Sequence, residues 1–121
     1  MWTTGNMAPV LPHILRAHAE QAAFLWSVYD NALLNPGDNP DMDAEGLADL
    51  VDRLEAHLDG LRIAGAEGMK AAERRFADYP EAGELFVLRM LSTGVGDLRV
   101  ADLDLDRTRR YLAAYTTSGS I

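Results

Sequence analysis

Apolar residues recur at steps of three and four along most of the chain, which is the spacing of an amphipathic α-helix. From Pro12, whose fixed φ suits the first residue of a helix, one apolar stripe predicts a first helix to about Leu34. The inward positions of this helix are predicted to be Ile14, His18, Ala22, Leu25, Tyr29 and Leu33, flanked by Phe24 and Trp26. After a loop rich in Asn, Pro and Gly, Asp43 suits the N-cap of a second helix that ends near Ala64 or Gly65. Its stripe consists of Leu47, Leu50, Val51, Leu54, Leu58 and Leu61.

The rest of the chain predicts shorter helices. Gly65 and Gly68 bracket a predicted turn before a third helix, which Pro80 stops. Pro80 also suits the first residue of a fourth helix, which Gly94 ends. A last helix is predicted from Arg107 to Tyr115.

These elements predict the fold class. Apolar and polar residues never alternate beside a hairpin turn, so no strand is predicted. Helices of this length joined by short loops pack against their neighbours in sequence. We therefore predict an all-α fold of about five helices, either an antiparallel helical bundle or a short HEAT-like helical solenoid. In this interpretation residues 1–121 form a single helical domain, with 1–11 as a loose tail and 116–121 as a frayed end.

Charge and composition argue against several classes of function. The formal net charge is −8, which disfavours nucleic acids and anionic membranes, because affinity for phosphates comes largely from cations. The chain has no cysteine, so it forms no disulfide or thiolate zinc site, and this fits a reducing compartment. No apolar run approaches the roughly 18 residues that cross a bilayer, and no signal peptide is visible. We expect a cytoplasmic protein that binds neither nucleic acid nor membrane.

No catalytic constellation is visible in the sequence. His13 and His18 are five residues apart, which places them on different sides of a helix. His57 is expected to be a partly buried, hydrogen-bonded histidine and not a ligand. Glu-x-x-His and His-Glu-x-x-His motifs are missing, and no serine lies in a nucleophile elbow. The sequence therefore predicts neither an enzyme nor a cofactor.

One acidic run has the spacing of a calcium loop. An EF-hand-type loop has oxygen ligands at positions 1, 3, 5, 9 and 12 and glycine at position 6. Those positions hold Asp41, Asp43, Glu45, Asp49 and Asp52, with Gly46 as the glycine. Ala48 at position 8, an aspartate at position 12 and Pro40 before the loop all argue against it. The favoured interpretation is an acidic first helical turn with no metal site. Ion or ligand binding by this loop is the alternative.

Two surfaces are candidates for a protein partner. The second helix has an acidic face that fits a basic partner, made up of Asp49, Asp52, Glu55 and Asp59. The last helix has an apolar side, made up of Tyr111, Leu112 and Tyr115. Exposed apolar patches mark association sites, and self-association most simply gives a two-fold dimer. We predict a non-catalytic protein-interaction module that binds a protein partner or forms a homodimer.

Three stretches carry a resemblance to a known family: His18–Trp26, Arg53–Gly65 and Gly83–Gly94. Together they resemble the N-terminal part of an uncharacterised bacterial family of HEAT-repeat-like proteins, often encoded near type VI secretion components. The similarity covers residues 18–99. It implies a helical scaffold or adaptor and brings no functional residues with it. Members of that family continue into further helix pairs, so the chain would be a short relative or an N-terminal part.

Overall fold

The computed structural model describes residues 12–92 and 98–119, with side chains as far as residue 115. Within these ranges the chain forms five α-helices and one short 3₁₀ turn, Val100–Asp102, and contains no strand. The helices α1 to α5 are, in order, Pro12–Leu34, Ala44–Ile63, Ala66–Asp78, Ala82–Ser92 and Leu105–Gly119. The predicted all-α fold is confirmed. None of the helices in these ranges is long and apolar enough to cross a bilayer.

Local chemistry explains the start of α2. The Asp43 carboxylate accepts a hydrogen bond from the Gly46 backbone N–H at 2.8 Å, as predicted for an N-cap. The predicted ends of α1 and α2 agree with the structure. Residues 116–119, expected to be frayed, belong to α5, whereas the expected tail at 1–11 lies outside the described residues.

The turn between α2 and α3 is shorter than predicted. Gly65, with φ +60°, makes the turn, whereas Gly68 lies inside α3 and is buried. A Cβ at Gly68 would lie 2.0 Å from the carbonyl oxygen of Leu61, so only glycine lets α3 start this close to the end of α2. Pro80 was predicted to open the fourth helix, but α4 begins two residues later, at Ala82.

The core lies around α1, which packs against α2, α3 and α4. The ring of Trp26 stacks on Phe86 of α4, with centroids 4.1 Å apart, and both residues are buried. The structure is consistent with the predicted helical bundle, in which one side of α1 packs against three other helices.

The predicted apolar side of α1 agrees with the structure in part. Ile14 and Phe24 were predicted to face inward, but both are exposed, Phe24 at 60%. Ala22, Leu25 and Trp26 are buried as predicted, and the core side of α1 also includes Leu15 and Ala19. Each residue turns the helix by about 100°, so Phe24 points about 200° away from Trp26.

Candidate protein-interaction groove

A groove of about 490 Å³ opens between α3, α4 and α5. No Cα atom of α3 lies within 8 Å of one in α5, and α4 lies between them as the floor. The volume falls in the usual range for ligand and side-chain binding sites. The lining residues are Met69 and Glu73 of α3, Leu85, Leu88, Arg89 and Ser92 of α4, and Tyr111 and Tyr115 of α5.

Two tyrosines form the α5 wall of the groove. Tyr111 is half-buried and Tyr115 is 48% exposed, and their ring centroids are 6.1 Å apart. Tyr115 also meets Phe76 of α3 edge-on, with centroids 6.3 Å apart. Aromatic side chains are enriched where protein partners bind, because they offer large contact areas at low entropic cost.

Leu112 was predicted to bind a partner together with these tyrosines, and that prediction is wrong. Leu112 is 3% exposed and belongs to the core. It lies about 100° around α5 from Tyr111, whereas Tyr115 is one turn further on the same side as Tyr111. Leu112 therefore anchors α5 to the bundle and leaves both tyrosines at the groove.

The polar side chains of the groove are Arg89, Glu73 and Ser92. The Arg89 guanidinium carbon lies 4.0 Å from the centre of the Tyr111 ring, which is a cation–π contact. Within the described ranges no carboxylate lies within 4.0 Å of Arg89, and no cation within that distance of Glu73. The Ser92 hydroxyl donates to the Leu88 carbonyl at 2.6 Å. One cation and one anion thus remain available to a bound partner.

The predicted acidic face of α2 divides into two parts. Asp49 and Asp52, in the first half of the helix, are exposed, and no cation is paired with them in the described part of the chain. Glu55, in the second half, is half-buried. Its carboxylate accepts hydrogen bonds from Arg62 at 3.1 Å and from the backbone N–H of Val100.

Asp59 is neutralised in the same way, by Arg62 at 2.8 Å and Arg99 at 3.0 Å. Burial raises the pKa of Asp59, but the hydrogen bonds from Arg62 and Arg99 outweigh it and bring the pKa below its ordinary value. Glu55 and Asp59 therefore hold the 3₁₀ turn against α2. Of the predicted acidic face, Asp49 and Asp52 alone remain open to a partner.

The acidic run from Asp41 to Asp52 is not arranged as a calcium loop. Because α2 already begins at Ala44, Glu45 at position 5 lies on a helix, whereas an EF-hand needs this ligand on a loop that wraps around the ion. Nowhere in residues 12–92 or 98–119 do three or more His, Asp or Glu side chains come together as a metal site.

His18 and His57 meet at the interface of α1 and α2. Their Nδ1 atoms are 2.9 Å apart, so one ring donates and the other accepts. The expectation of a partly buried, hydrogen-bonded His57 is confirmed. Burial lowers the pKa of His57, and the charges of His18 and Arg53 lower it further. Sequence spacing could not reveal this contact, because the two histidines are on different helices.

Sequence reasoning also missed Arg89 and Glu73. Arg89 had one visible signal, since it is the only charged residue in the apolar run from Leu85 to Leu91. Glu73 had none, because an exposed acid on an amphipathic helix is usually just solvated.

Comparison of the chain with protein-family models, with curated proteins and with solved structures gave no match. The resemblance to HEAT-repeat-like proteins associated with type VI secretion therefore stays a prediction.

Proposed function

We propose that this protein is a non-catalytic interaction module that binds a segment of a protein partner in the groove between α3, α4 and α5. The observation that carries the proposal is the pair of accessible tyrosines, Tyr111 and Tyr115, across from Met69 over an apolar floor. A partner side chain of apolar or aromatic character would enter between these walls. Buried aromatic anchors of this kind supply most of the free energy in protein interfaces.

The polar groups of the groove and the net charge of the chain indicate which polar and charged groups the partner carries. Arg89 is held on the Tyr111 ring and is placed to donate hydrogen bonds to carbonyl groups of the bound segment. Glu73 would pair with a lysine or arginine next to the apolar anchor. A net charge of −8 attracts a basic protein over a long range, and Asp49 and Asp52 extend that field. The proposed partner is therefore a basic protein with an accessible apolar segment.

The groove supports binding more than catalysis. Among the described lining residues there is no histidine, the Ser92 hydroxyl already donates to the backbone, and no hydroxyl donates to the Glu73 carboxylate. General acid–base or nucleophilic chemistry needs a base within hydrogen-bond reach of the reacting group. We also propose a cytoplasmic role without nucleic acid, supported by the absence of cysteine and by the acidic composition.

The decisive experiment is site-specific photo-crosslinking in the native host. A photoreactive amino acid replaces Tyr115 in the groove or, as the matched control, Ile63, which is 87% exposed and outside it. We expect a protein that crosslinks from position 115 and not from position 63.

That protein is then purified and its affinity measured for the native chain and for the variants Tyr115→Glu and Ile63→Glu. A loss of at least about tenfold for Tyr115→Glu alone is expected, since an anchor residue contributes 1–2 kcal/mol or more. Equal crosslinking from both positions, or unchanged affinity of Tyr115→Glu, would show that the groove is not the binding site.

A further inference from the structure

The outward side of α1 is exposed and nearly free of charge. Five exposed residues follow one another along it with spacings of three and four, namely Ala17, Gln21, Phe24, Ser27 and Asn31. We call them the α1 strip. The chain has 30 charged residues, but these five positions carry none.

The charges that flank the α1 strip are already neutralised within the chain. Glu20 pairs with Arg16 at 3.4 Å and with Arg75 at 3.5 Å. Asp30 pairs with Arg109 of α5. Within the described ranges, the acidic and arginine residues of α1 are therefore all ion-paired.

Phe24 lies at the centre of the α1 strip and next to the midpoint of the 23-residue helix. The order of residues is symmetrical about it: Gln21 and Ser27 are each three positions away, and Ala17 and Asn31 are each seven away. When two copies of α1 pack antiparallel about Phe24, Phe24 faces its own copy. Gln21 then faces the partner copy's Ser27. The Ser27 hydroxyl donates to the Ala23 carbonyl at 3.2 Å and can accept a hydrogen bond from the Gln21 amide, while the small Ala17 faces Asn31.

We propose that the α1 strip is the interface of a two-fold antiparallel homodimer. Two copies that each carry a net charge of −8 repel each other, so a second copy is best tolerated at a neutral face. A basic partner, in contrast, would gain nothing from this face. A C₂ interface requires the same patch on both subunits to be self-complementary, and the symmetrical order around Phe24 meets that requirement.

This dimer leaves the groove open. Phe24 points about 200° around α1 from Trp26, which packs on α4, so the centre of the α1 strip faces away from α4 and the groove that it floors. Ser27, at the edge of the strip, lies beside Gly83 of α4. Standard stable interfaces bury at least about 1,200 Å² in total. Because one helix on one helix reaches at most the lower end of that range, we expect a weak dimer that dissociates on dilution.

The first test is analytical ultracentrifugation of the native chain over a range of concentrations, with Phe24→Glu and Tyr115→Glu as matched variants. Both residues are about half exposed, so both variants should keep the helical circular dichroism spectrum. The proposal expects Phe24→Glu to weaken the dimer at least about a hundredfold, because two carboxylates would meet at the symmetry axis. Tyr115→Glu should leave it unchanged. A native monomer at every concentration would overturn the proposal, as would a dimer that Tyr115→Glu disrupts and Phe24→Glu does not.

The second test uses the absence of cysteine to read the orientation of the two helices. A single Phe24→Cys should form a disulfide with its own copy under mild oxidation, whereas Ser27→Cys alone should not. A mixture of Gln21→Cys and Ser27→Cys chains should form the mixed disulfide in preference to either homodisulfide. Homodisulfides at all three positions would indicate a parallel pair and contradict the antiparallel arrangement.

Discussion

Replacement of Gly68 by alanine is expected to destabilise the protein, against the general preference of helices for alanine. In an exposed helix interior this change stabilises by about 1 kcal/mol. Here the new Cβ would lie 2.0 Å from the carbonyl oxygen of Leu61 and 2.8 Å from its carbonyl carbon. Ordinary carbon–oxygen contacts are about 3.3 Å or longer, so the end of α2 and the start of α3 must separate by roughly 1 Å. Overpacking costs up to about 3 kcal/mol, which leaves a net loss of about 2 kcal/mol.

The matched control is Gly60→Ala. Gly60 also lies inside a helix, but its nearest neighbour is the Nε2 atom of His18 at 2.8 Å, the far end of a side chain that can rotate. We expect a change within about 1 kcal/mol of zero, because the gain in helix propensity offsets the displaced ring. Thermal unfolding followed by circular dichroism measures both variants. At about 4 °C per kcal/mol for a chain of this size, Gly68→Ala should lower Tm by about 8 °C. A Gly68→Ala variant as stable as the native protein would refute the reasoning.

Three further predictions concern charged and titratable groups. Because His57 has a lowered pKa in the folded state, the unfolded chain takes up a proton first as the pH falls through about 6.5. Stability should therefore fall as the pH decreases below that value, and His57→Gln should flatten the slope of the urea midpoint between pH 7.5 and 5.5; an unchanged slope would contradict this. Arg75→Met should lower the free energy of unfolding by about 3 kcal/mol, because it leaves the Glu84 carboxylate, whose side chain is 8% exposed, without its ion-pair partner. Glu84→Gln should lower the free energy of unfolding by at least about 1 kcal/mol less than Arg75→Met does, as measured by the same urea titrations. Equal losses for the two variants would argue against a buried charge at Glu84. Millimolar calcium should raise Tm by less than about 1 °C. A larger rise that Asp41→Ala and Asp43→Ala abolish would support calcium binding by the acidic run from Asp41 to Asp52.

The features that could be predicted from the sequence are those set by local chemistry. Pro12 starts α1 because its φ is already helical, and Asp43 caps α2 because its carboxylate reaches an N–H three residues ahead. Both depend on neighbours in the chain. Gly68 has no such local reason, since the carbonyl of Leu61 excludes a side chain there only once α2 and α3 have packed together.

The candidate site also has features that helical spacing predicts and features that depend on the tertiary fold. The side of α5 with Tyr111 and Tyr115 could be found from helical spacing, but spacing alone did not separate Leu112, which is 100° away and buried. The acidic face of α2 was visible in the sequence, and so was Arg62, which lies three residues from Asp59 on the same helix. The neutralisation of Asp59 by Arg99 was not visible. Ion pairs between residues about 40 positions apart depend on the tertiary fold, and a single sequence holds no trace of them.

Few contacts attach α5 to the rest of the bundle, so α5 is expected to unfold locally before the other helices. Among the described helices, the backbone of α5 approaches only α4, and single side chains such as Leu112 and Arg109 provide its other anchors. A segment with so few buried contacts is where sub-global unfolding begins, at a smaller free energy than for the whole chain. Amide hydrogens of α5 should then exchange with solvent sooner than those of α1. Since α5 is one wall of the groove, a partner bound there would slow that exchange, and the ordering of the wall would become part of the free energy of binding.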